Sequence, residues 1–193
     1  MNTFIDTIQS LGCEWKQLDE EGLNTPRTAV NSKYRNRMRS IKLKYYLLSK
    51  YLPEYKDRPK RKVLDFSCGN GVSLEILREW GHDIFGVDIQ YEAFLKSQKI
   101  PYMIYDCSKL PYPFEDKSFD LIMNLGAITF YPRINNTWED IIDEFARISR
   151  KTIFMVVNKG WLYDKHIHYL DNWRSKEWKR VVRNKYIYKW ERK

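Results

Sequence analysis

The sequence predicts an α/β protein, a three-layer α/β/α sandwich whose mostly parallel sheet of about six strands follows an amino-terminal helical cap. Three observations carry this reading. From residue 62 short apolar runs alternate with helix-period segments, the pattern of a parallel sheet covered on both faces. Glycines follow the first apolar run, where the chain must turn sharply into a helix. A length of 193 residues suffices for one full hydrophobic core and falls short of two comfortable ones. One domain is expected, with the cap over 1–60, the core over 61–158 and a carboxyl-terminal helix and strand over 159–193.

Residues 2–11 space Phe4, Ile5, Ile8 and Leu11 as a short amphipathic helix that Gly12 stops. The stretch 24–33, with Asn24, Thr25, Pro26, Asn31 and Ser32, reads as loop. Residues 35–52 resume helical spacing through Met38, Ile41, Tyr45, Leu48 and Leu52, and end at Pro53. KVLDF is then a buried strand and VSLEILREW a helix. DIFGVDI and YEAFLKSQK repeat the pair, and PYMIYD is the third strand. FDLIMNL, TWEDIIDEFARIS and TIFMVVN supply strand, helix and strand. After residue 157 the spacing predicts one helix over about 169–183 and one alternating strand, YIYKW.

In such sheets ligands bind beyond the carboxyl ends of the strands, near the point where strand order reverses. The first strand and its loop read VLDFSCGNG, with Asp65 near the strand end and Gly69 and Gly71 in the turn. A dinucleotide site needs G-x-G-x-x-G. The frames through Ser67, Gly69 and Val72, or through Gly69, Gly71 and Leu74, both fail. The second strand ends in Asp88, where an acid reaches the hydroxyls of an adenosine ribose, and Ile89 beside it is placed to pack on adenine. The third strand ends in Asp106, an acceptor suited to an adenine amino group. Asn124, at the end of the fourth strand, completes the expected cofactor-binding set.

These residues carry a resemblance. The segment from Val63 to about Pro132 resembles the class I S-adenosylmethionine-dependent methyltransferases, in the small-molecule branch typified by methyltransferase domain 11. VLDFSCGNG is similar to the first motif of that family and GHDIFGVDI to its second. YDCSKLPYPFEDKSFDLIMN is similar to the segment joining its third strand to its fourth, where a Leu-Pro-aromatic-Pro loop before Ser-Phe-Asp is common. The resemblance implies a Rossmann-like fold, S-adenosyl-L-methionine as cofactor and methyl transfer as activity. It places Asp65, Gly69 and Gly71 around the methionine part, Asp88 at the ribose, and Asp106 and Cys107 at the adenine. Three departures stand out. Ser67 occupies the position of a first glycine. Thr129 and Phe130 replace histidines that many members carry after the fourth strand. The short stretch after the fifth strand leaves the sheet one strand short of the family's usual number.

Composition bounds the partners. The net charge of +9 is concentrated in residues 33–62, at +10, and residues 159–193, at +7, around an acidic middle. Such flanks attract phosphate, carboxylate or RNA. No apolar run approaches the ~20 residues that span a bilayer, and the first residues lack a secretory leader pattern, so no membrane partner is expected. Cys13, Cys68 and Cys107 lack metal-type spacing, so no metal is expected, and they fit a reduced, cytoplasmic setting. The expected acceptor is an oxygen or nitrogen of a small or sugar-like molecule, acidic ones included. The alternatives are an RNA methyltransferase and a non-catalytic S-adenosylmethionine-binding domain. The end of the fourth strand, NLGAITFYP, lacks the signature of adenine-N6 enzymes, and no Pro-Cys nucleophile serves cytosine-C5 chemistry.

Candidate bases are His166, His168 and Tyr131, by location near the strand ends. His82, just before the second strand, is expected to be structural. Tyr34, Arg35 and Arg39 are candidates to reach an anionic group. The aromatics of residues 161–190, from Trp161 to Trp190, alternate with basic side chains in a way that suits base stacking, but their spacing along one helix face and one strand face favours core packing.

Overall fold

The computed structural model describes residues 29–56, 58–89, 99–126, 137–157, 170–173, 175–183 and 186–193. The expected helices at 2–11 and 91–99 lie, wholly or almost wholly, outside them. The described elements are α1 (Ala29–Tyr51), a 3₁₀ turn at Pro53–Tyr55, β1 (Lys62–Phe66), α2 (Val72–Glu79), β2 (Asp83–Asp88), β3 (Tyr102–Ile104), β4 (Phe119–Leu125), α3 (Trp138–Ile148), β5 (Ser149–Val156), β6 (Trp178–Arg183) and β7 (Ile187–Arg192).

The strands form one seven-stranded sheet in the order β3-β2-β1-β4-β5-β7-β6. The first five of that order pair in parallel, while β7 runs antiparallel to both β5 and β6. Successive strands step outward from β1 to β3, then resume on the other side of β1 at β4. The crevice between β1 and β4 is therefore the switch point where ligands settle in such sheets.

Alternation along each strand divides the core into two layers. Val63, Leu121, Met123 and Phe154 face Ile41, Leu48, Val72 and Leu74 from α1 and α2. Leu64, Phe66, Ile122, Ile153 and Met155 face Trp138, Ile141, Ile142 and Phe145 of α3. Central strands buried on both sides need continuous apolar runs, which is why KVLDF and FDLIMNL were readable. Helix α3 starts on a capping box: the Thr137 hydroxyl accepts from the Asp140 backbone N–H, and the Asp140 carboxylate accepts from the Thr137 N–H at 2.7 Å.

Two expectations change. Helix α1 already runs from Ala29, through residues read as loop; Asn31 and Ser32 each cost a helix only a fraction of a kcal/mol. Among its described residues the segment 169–183 is helical at 170–172, and Trp178–Arg183 is a strand. Trp173, Trp178, Val181 and Val182 fit a helix face by spacing. Pairing with β7 satisfies the backbone of this β-branched segment instead. The sheet thus has seven strands, and the pair the sequence left one short is complete. Trp173, Trp178, Tyr188 and Trp190 pack in the α3-side core, as the packing interpretation of the aromatics required.

Candidate functional site

The carboxyl edge of β1 and β2 is shaped by three left-handed residues in the turn between β1 and α2: Ser67 at φ 54°, Gly69 at 55° and Gly71 at 72°. Such angles are routine only for glycine, so Ser67 keeps the turn at a cost in strain. Two bonds tie the turn to β2. The Cys68 N–H donates to the Val87 carbonyl at 3.0 Å, and the Gly69 N–H donates to the Asp88 carboxylate at 2.9 Å. A Cβ added to Gly69 would meet nothing within 4 Å, so the backbone there borders open space.

Asp65 lies level with Gly86 of β2 and Met123 of β4, at the switch point. It is buried. One carboxylate oxygen accepts from the Ser73 hydroxyl on α2, while the other, Oδ1, is buried with no hydrogen-bond partner. Burial raises its pKa to about 6, against the opposing Lys44 ammonium and the Ser73 bond, with Asp88 adding to the rise. An orphaned buried acceptor costs free energy unless a donor arrives, and here it stands beside the open turn.

The other expected residues distribute as follows. Asp88 is half-buried, and Ile89 beyond it is 55% exposed, an apolar side chain in the open past an acid. Asp106 is half-buried and accepts through Oδ1 from the Ser108 N–H at 3.0 Å and hydroxyl at 2.7 Å. Cys107 is buried. Asn124 is fully buried and donates to the Phe66 carbonyl at 3.0 Å, so it shapes the end of β1 from β4. The structure thus brings Asp65, Ser67, Gly69, Gly71 and Asp88 together through the turn, and sets Asp106 and Cys107 just past β3 at the same edge. Tyr131, His166 and His168 lie outside the described residues, as do the side chains of Tyr34, Arg35 and Arg39.

Below Cys107 the segment LPYPF folds against α3. The Tyr112 hydroxyl donates to the Cys107 carbonyl at 2.9 Å, and the Tyr112 N–H donates to Glu144 at 2.8 Å. Arg147 donates to the carbonyls of Phe114 at 2.8 Å and Tyr112 at 3.0 Å, and pairs with Glu144 at 2.7 Å. Burial acts upward on the Glu144 pKa, yet the Arg147 and Tyr112 bonds hold it below the ordinary value. The loop that carries Cys107 is therefore stapled to α3 by Glu144 and Arg147, through bonds to its backbone and an ion pair from Arg147 to Asp116 at 2.8 Å. His82 is structural, as expected: one ring nitrogen lies 2.7 Å from the Tyr55 carbonyl and the other accepts from the Arg61 N–H at 3.2 Å. Burial lowers its pKa.

Three contributors escaped the sequence reading. Gly86 permits the turn to sit on β2, since a Cβ there would lie 2.7 Å from Cys68 Sγ and 2.9 Å from Leu74 Cδ1. A glycine inside a strand pattern signals such close approach, so this one was detectable. Ser73 donates to Asp65 from α2, while the charge of Lys44 on α1 acts on it electrostatically, and no local pattern announces either.

Three acids therefore stand at or just past the ends of three consecutive strands around a glycine turn, and of these Asp65 has an oxygen buried with no hydrogen-bond partner. Residues 64–156 match the family described as methyltransferase domain. An uncharacterised Haemophilus influenzae protein is 32% identical over 83 residues, covering 37% of this chain and 32% of that protein; the chain thus spans about a third of that relative's length. The Pyrococcus horikoshii protein PH0226 superposes with a TM-score of 0.53 at 18% identity, covering 83% of this chain and 91% of that one. A Methanococcus maripaludis protein, proposed to be an S-adenosylmethionine-dependent methyltransferase, gives 0.55 at 15% identity over 88% and 96%. Those two likenesses concern the fold.

Proposed function

Residues 64–156 belong to the methyltransferase domain family of the class I S-adenosylmethionine-dependent methyltransferases, and on that premise we propose that this chain methylates an oxygen or nitrogen of a small or sugar-like acceptor, acidic ones included. The observation that carries the reading is the set of three strand-end acids around an open turn. Asp88 would accept from both ribose hydroxyls, with Ile89 against the adenine face. Asp106 and Cys107 would border the adenine. Asp65, whose Oδ1 is buried without a partner, fits the ammonium of the methionine part, and the backbone of Gly69 and Gly71 leaves that part room.

When bound, S-adenosylmethionine supplies a methyl group already activated on a sulfonium. The chain's share is then to hold the acceptor in line, and effective molarities for well-placed reactants make alignment a large part of the acceleration. No base is needed for acceptors that are nucleophilic as they stand. The candidates for acceptors that are not remain Tyr131, His166 and His168. The buried Cys68 thiol is not one of them, since burial pushes its pKa well up. The basic segments 33–62 and 159–193 support an acidic acceptor. They equally motivate the second reading, RNA, whose binding weakens steeply with salt.

Thermal shift with S-adenosylmethionine, its demethylated product and NAD tests the site: the first two should raise the melting temperature and NAD should not. Labelled S-adenosylmethionine incubated with separated cell fractions tests the transfer. Label entering small molecules supports the leading reading and label entering RNA the second. Tight cofactor binding with no transfer to any fraction points to a non-catalytic domain. A shift with NAD alone sinks the family-based reading of the site.

A further inference from the structure

The antiparallel end of the sheet leaves a cavity of its own. Side chains two apart on a strand share a face, so Trp178 and Arg180 of β6 stand together, in register with Arg192 and Trp190 of β7. Trp178 and Trp190 belong to the α3-side core, as does Trp173 just after the helical turn at 170–172. The three indoles do not close on one another. With Ser175 and Arg180 they line a cavity of about 130 Å³. Protein interiors hold few voids larger than a water molecule, and this one approaches the roughly 150 Å³ that accommodates a benzene ring. Strand β6 is four places from β1 in the sheet, about 19 Å at the usual strand spacing, so the cavity is separate from the turn around Asp65.

The lining sets the chemistry of what fits. Trp173, Trp178 and Trp190 are buried, and indole walls favour a flat ring through stacked or edge-to-face contact. Arg180 adds a charge. Its side chain is 14% exposed, and Nη1 donates to the Asp171 carboxylate at 3.0 Å and to the Asp171 carbonyl at 3.2 Å, which holds the guanidinium in place. A guanidinium presents its donors in a planar fork that matches a carboxylate edge, and it does so more strongly where water is scarce. Trp190 Nε1 is a further buried donor, with no hydrogen-bond partner among the described residues. Aromatic walls alone suit a quaternary ammonium as well, but Arg180, and Arg192 at 4.6 Å from the Trp178 ring, oppose a cation. We propose that this cavity is a second ligand site, for a small planar carboxylate: one aromatic ring bearing one acid group. The ring lies among the indoles and the carboxylate meets Arg180. The proposal stands apart from the reading of the carboxyl edge as the cofactor site.

Calorimetric titration with four probes tests it: benzoate, benzyl alcohol, acetate and tetramethylammonium. On the parent chain benzoate should bind with a dissociation constant of about 1 mM or tighter, a modest demand on a ligand of its size. Benzyl alcohol keeps the ring without the charge and should bind about 10-fold more weakly, the scale of a charge-assisted hydrogen bond. Acetate, too small to reach the indoles, should show no measurable binding. Arg180→Met should lower benzoate to the level of benzyl alcohol and leave benzyl alcohol unchanged. Ser175→Leu fills the cavity while keeping the pair of Arg180 and Asp171, so it tests the site even where Arg180→Met fails to fold, and it should remove both ligands. S-adenosylhomocysteine, the demethylated product of the cofactor, should not displace benzoate. No saturable binding of benzoate overturns the proposal. So does a preference for tetramethylammonium, which marks a cation cage. Benzoate binding that survives Ser175→Leu, or that S-adenosylhomocysteine displaces, puts the ligand elsewhere and overturns it too. A chain that binds benzoate in this cavity and no S-adenosylhomocysteine keeps this site and loses the cofactor reading.

Discussion

The Gly69 backbone N–H and the Asp88 carboxylate are joined at 2.9 Å, so the turn after β1 is fastened to the acid at the end of β2. Asp88 is accordingly part of the empty fold as well as an acceptor for a ribose. Judged from the sequence, removing it should hardly move the melting temperature, because an acid waiting for a ligand contributes little. The bond to Gly69 changes that expectation.

Asp88→Ala should lower the melting temperature by the equivalent of about 0.5–1.5 kcal/mol, the net worth of one such bond. It should also weaken S-adenosylhomocysteine by roughly 30- to 1000-fold, since two charge-assisted bonds to the ribose disappear. Asp88→Asn keeps an acceptor for Gly69 and should lose less on both counts. Thermal melts and calorimetry decide it, and an Asp88→Ala chain that binds like the parent removes the ribose assignment.

Asp65 sets a pH dependence. Burial lifts its folded-state pKa to about 6, well above the ordinary 3.8 of an aspartate, while Lys44 opposes the rise and Asp88 adds to it. A ligand ammonium favours the charged carboxylate, so the bound pKa falls below the free one. Affinity for S-adenosylhomocysteine should then be level above pH 6 and decline below it, whereas 5′-methylthioadenosine, which lacks the amino-acid group, should show no such decline. For the free chain the sign is opposite. A raised carboxyl pKa stabilises below its unfolded value, and that stability is lost as pH rises through 6. Asp65→Asn should therefore raise the melting temperature at pH 7, by about 1–3 kcal/mol at most, and flatten both profiles. Melts and titrations between pH 5 and 7.5 check this; an unchanged decline in Asp65→Asn assigns it elsewhere.

The turn offers a paired test of strain. Ser67 holds φ 54° with a side chain present, at about 1–2 kcal/mol, and glycine gives back part of that relief through its freer unfolded chain. Ser67→Gly should exceed Ser67→Ala in stability by about 0.5–1 kcal/mol; both lose the hydroxyl, so the difference isolates the backbone. At Gly69 the same angle is already free, and an added Cβ meets open space. Gly69→Val should cost about 1–2 kcal/mol of stability from the angle yet leave the chain folded and unable to bind cofactor. Unchanged affinity in Gly69→Val places the cofactor away from the turn.

The legible part of the molecule was the part whose neighbours are local or uniform. Strands β1 and β4, and β5 from Thr152 to Met155, are buried on both faces and so read as mostly apolar runs, and the acids at the ends of β1 and β2 stand at short offsets from glycines. The misread part depended on distant partners. Val181 and Val182 sit as well on a helix as on a strand until β7 lies alongside. Ser73 acquires meaning only when α2 lies against β1 and its hydroxyl meets Asp65. The staple of Arg147 and Glu144 to the Tyr112 backbone joins residues more than thirty apart in sequence, beyond any spacing rule.

Gly86 is where packing and site meet. It is buried in β2, beside the end of β1, and a Cβ there would stand 2.7 Å from Cys68 Sγ and 2.9 Å from Leu74 Cδ1. Both atoms belong to the unit that forms the turn and its helix, and both are enclosed in the core. Neither can retreat without moving that unit off the sheet. Gly86→Ala should thus destabilise by about 1–3 kcal/mol, the usual cost of overpacking. It should also weaken S-adenosylhomocysteine, because a shifted turn no longer presents Gly69 beside Asp88. Removing the nearer obstacle gives the control. Cys68→Ala alone leaves a small cavity and should cost about 1 kcal/mol, but in the Gly86→Ala background it should restore part of both stability and affinity. A double-mutant cycle reads that coupling as a favourable interaction of about 0.5 kcal/mol or more. Additive losses show instead that Leu74 and the helix, not the thiol, carry the clash.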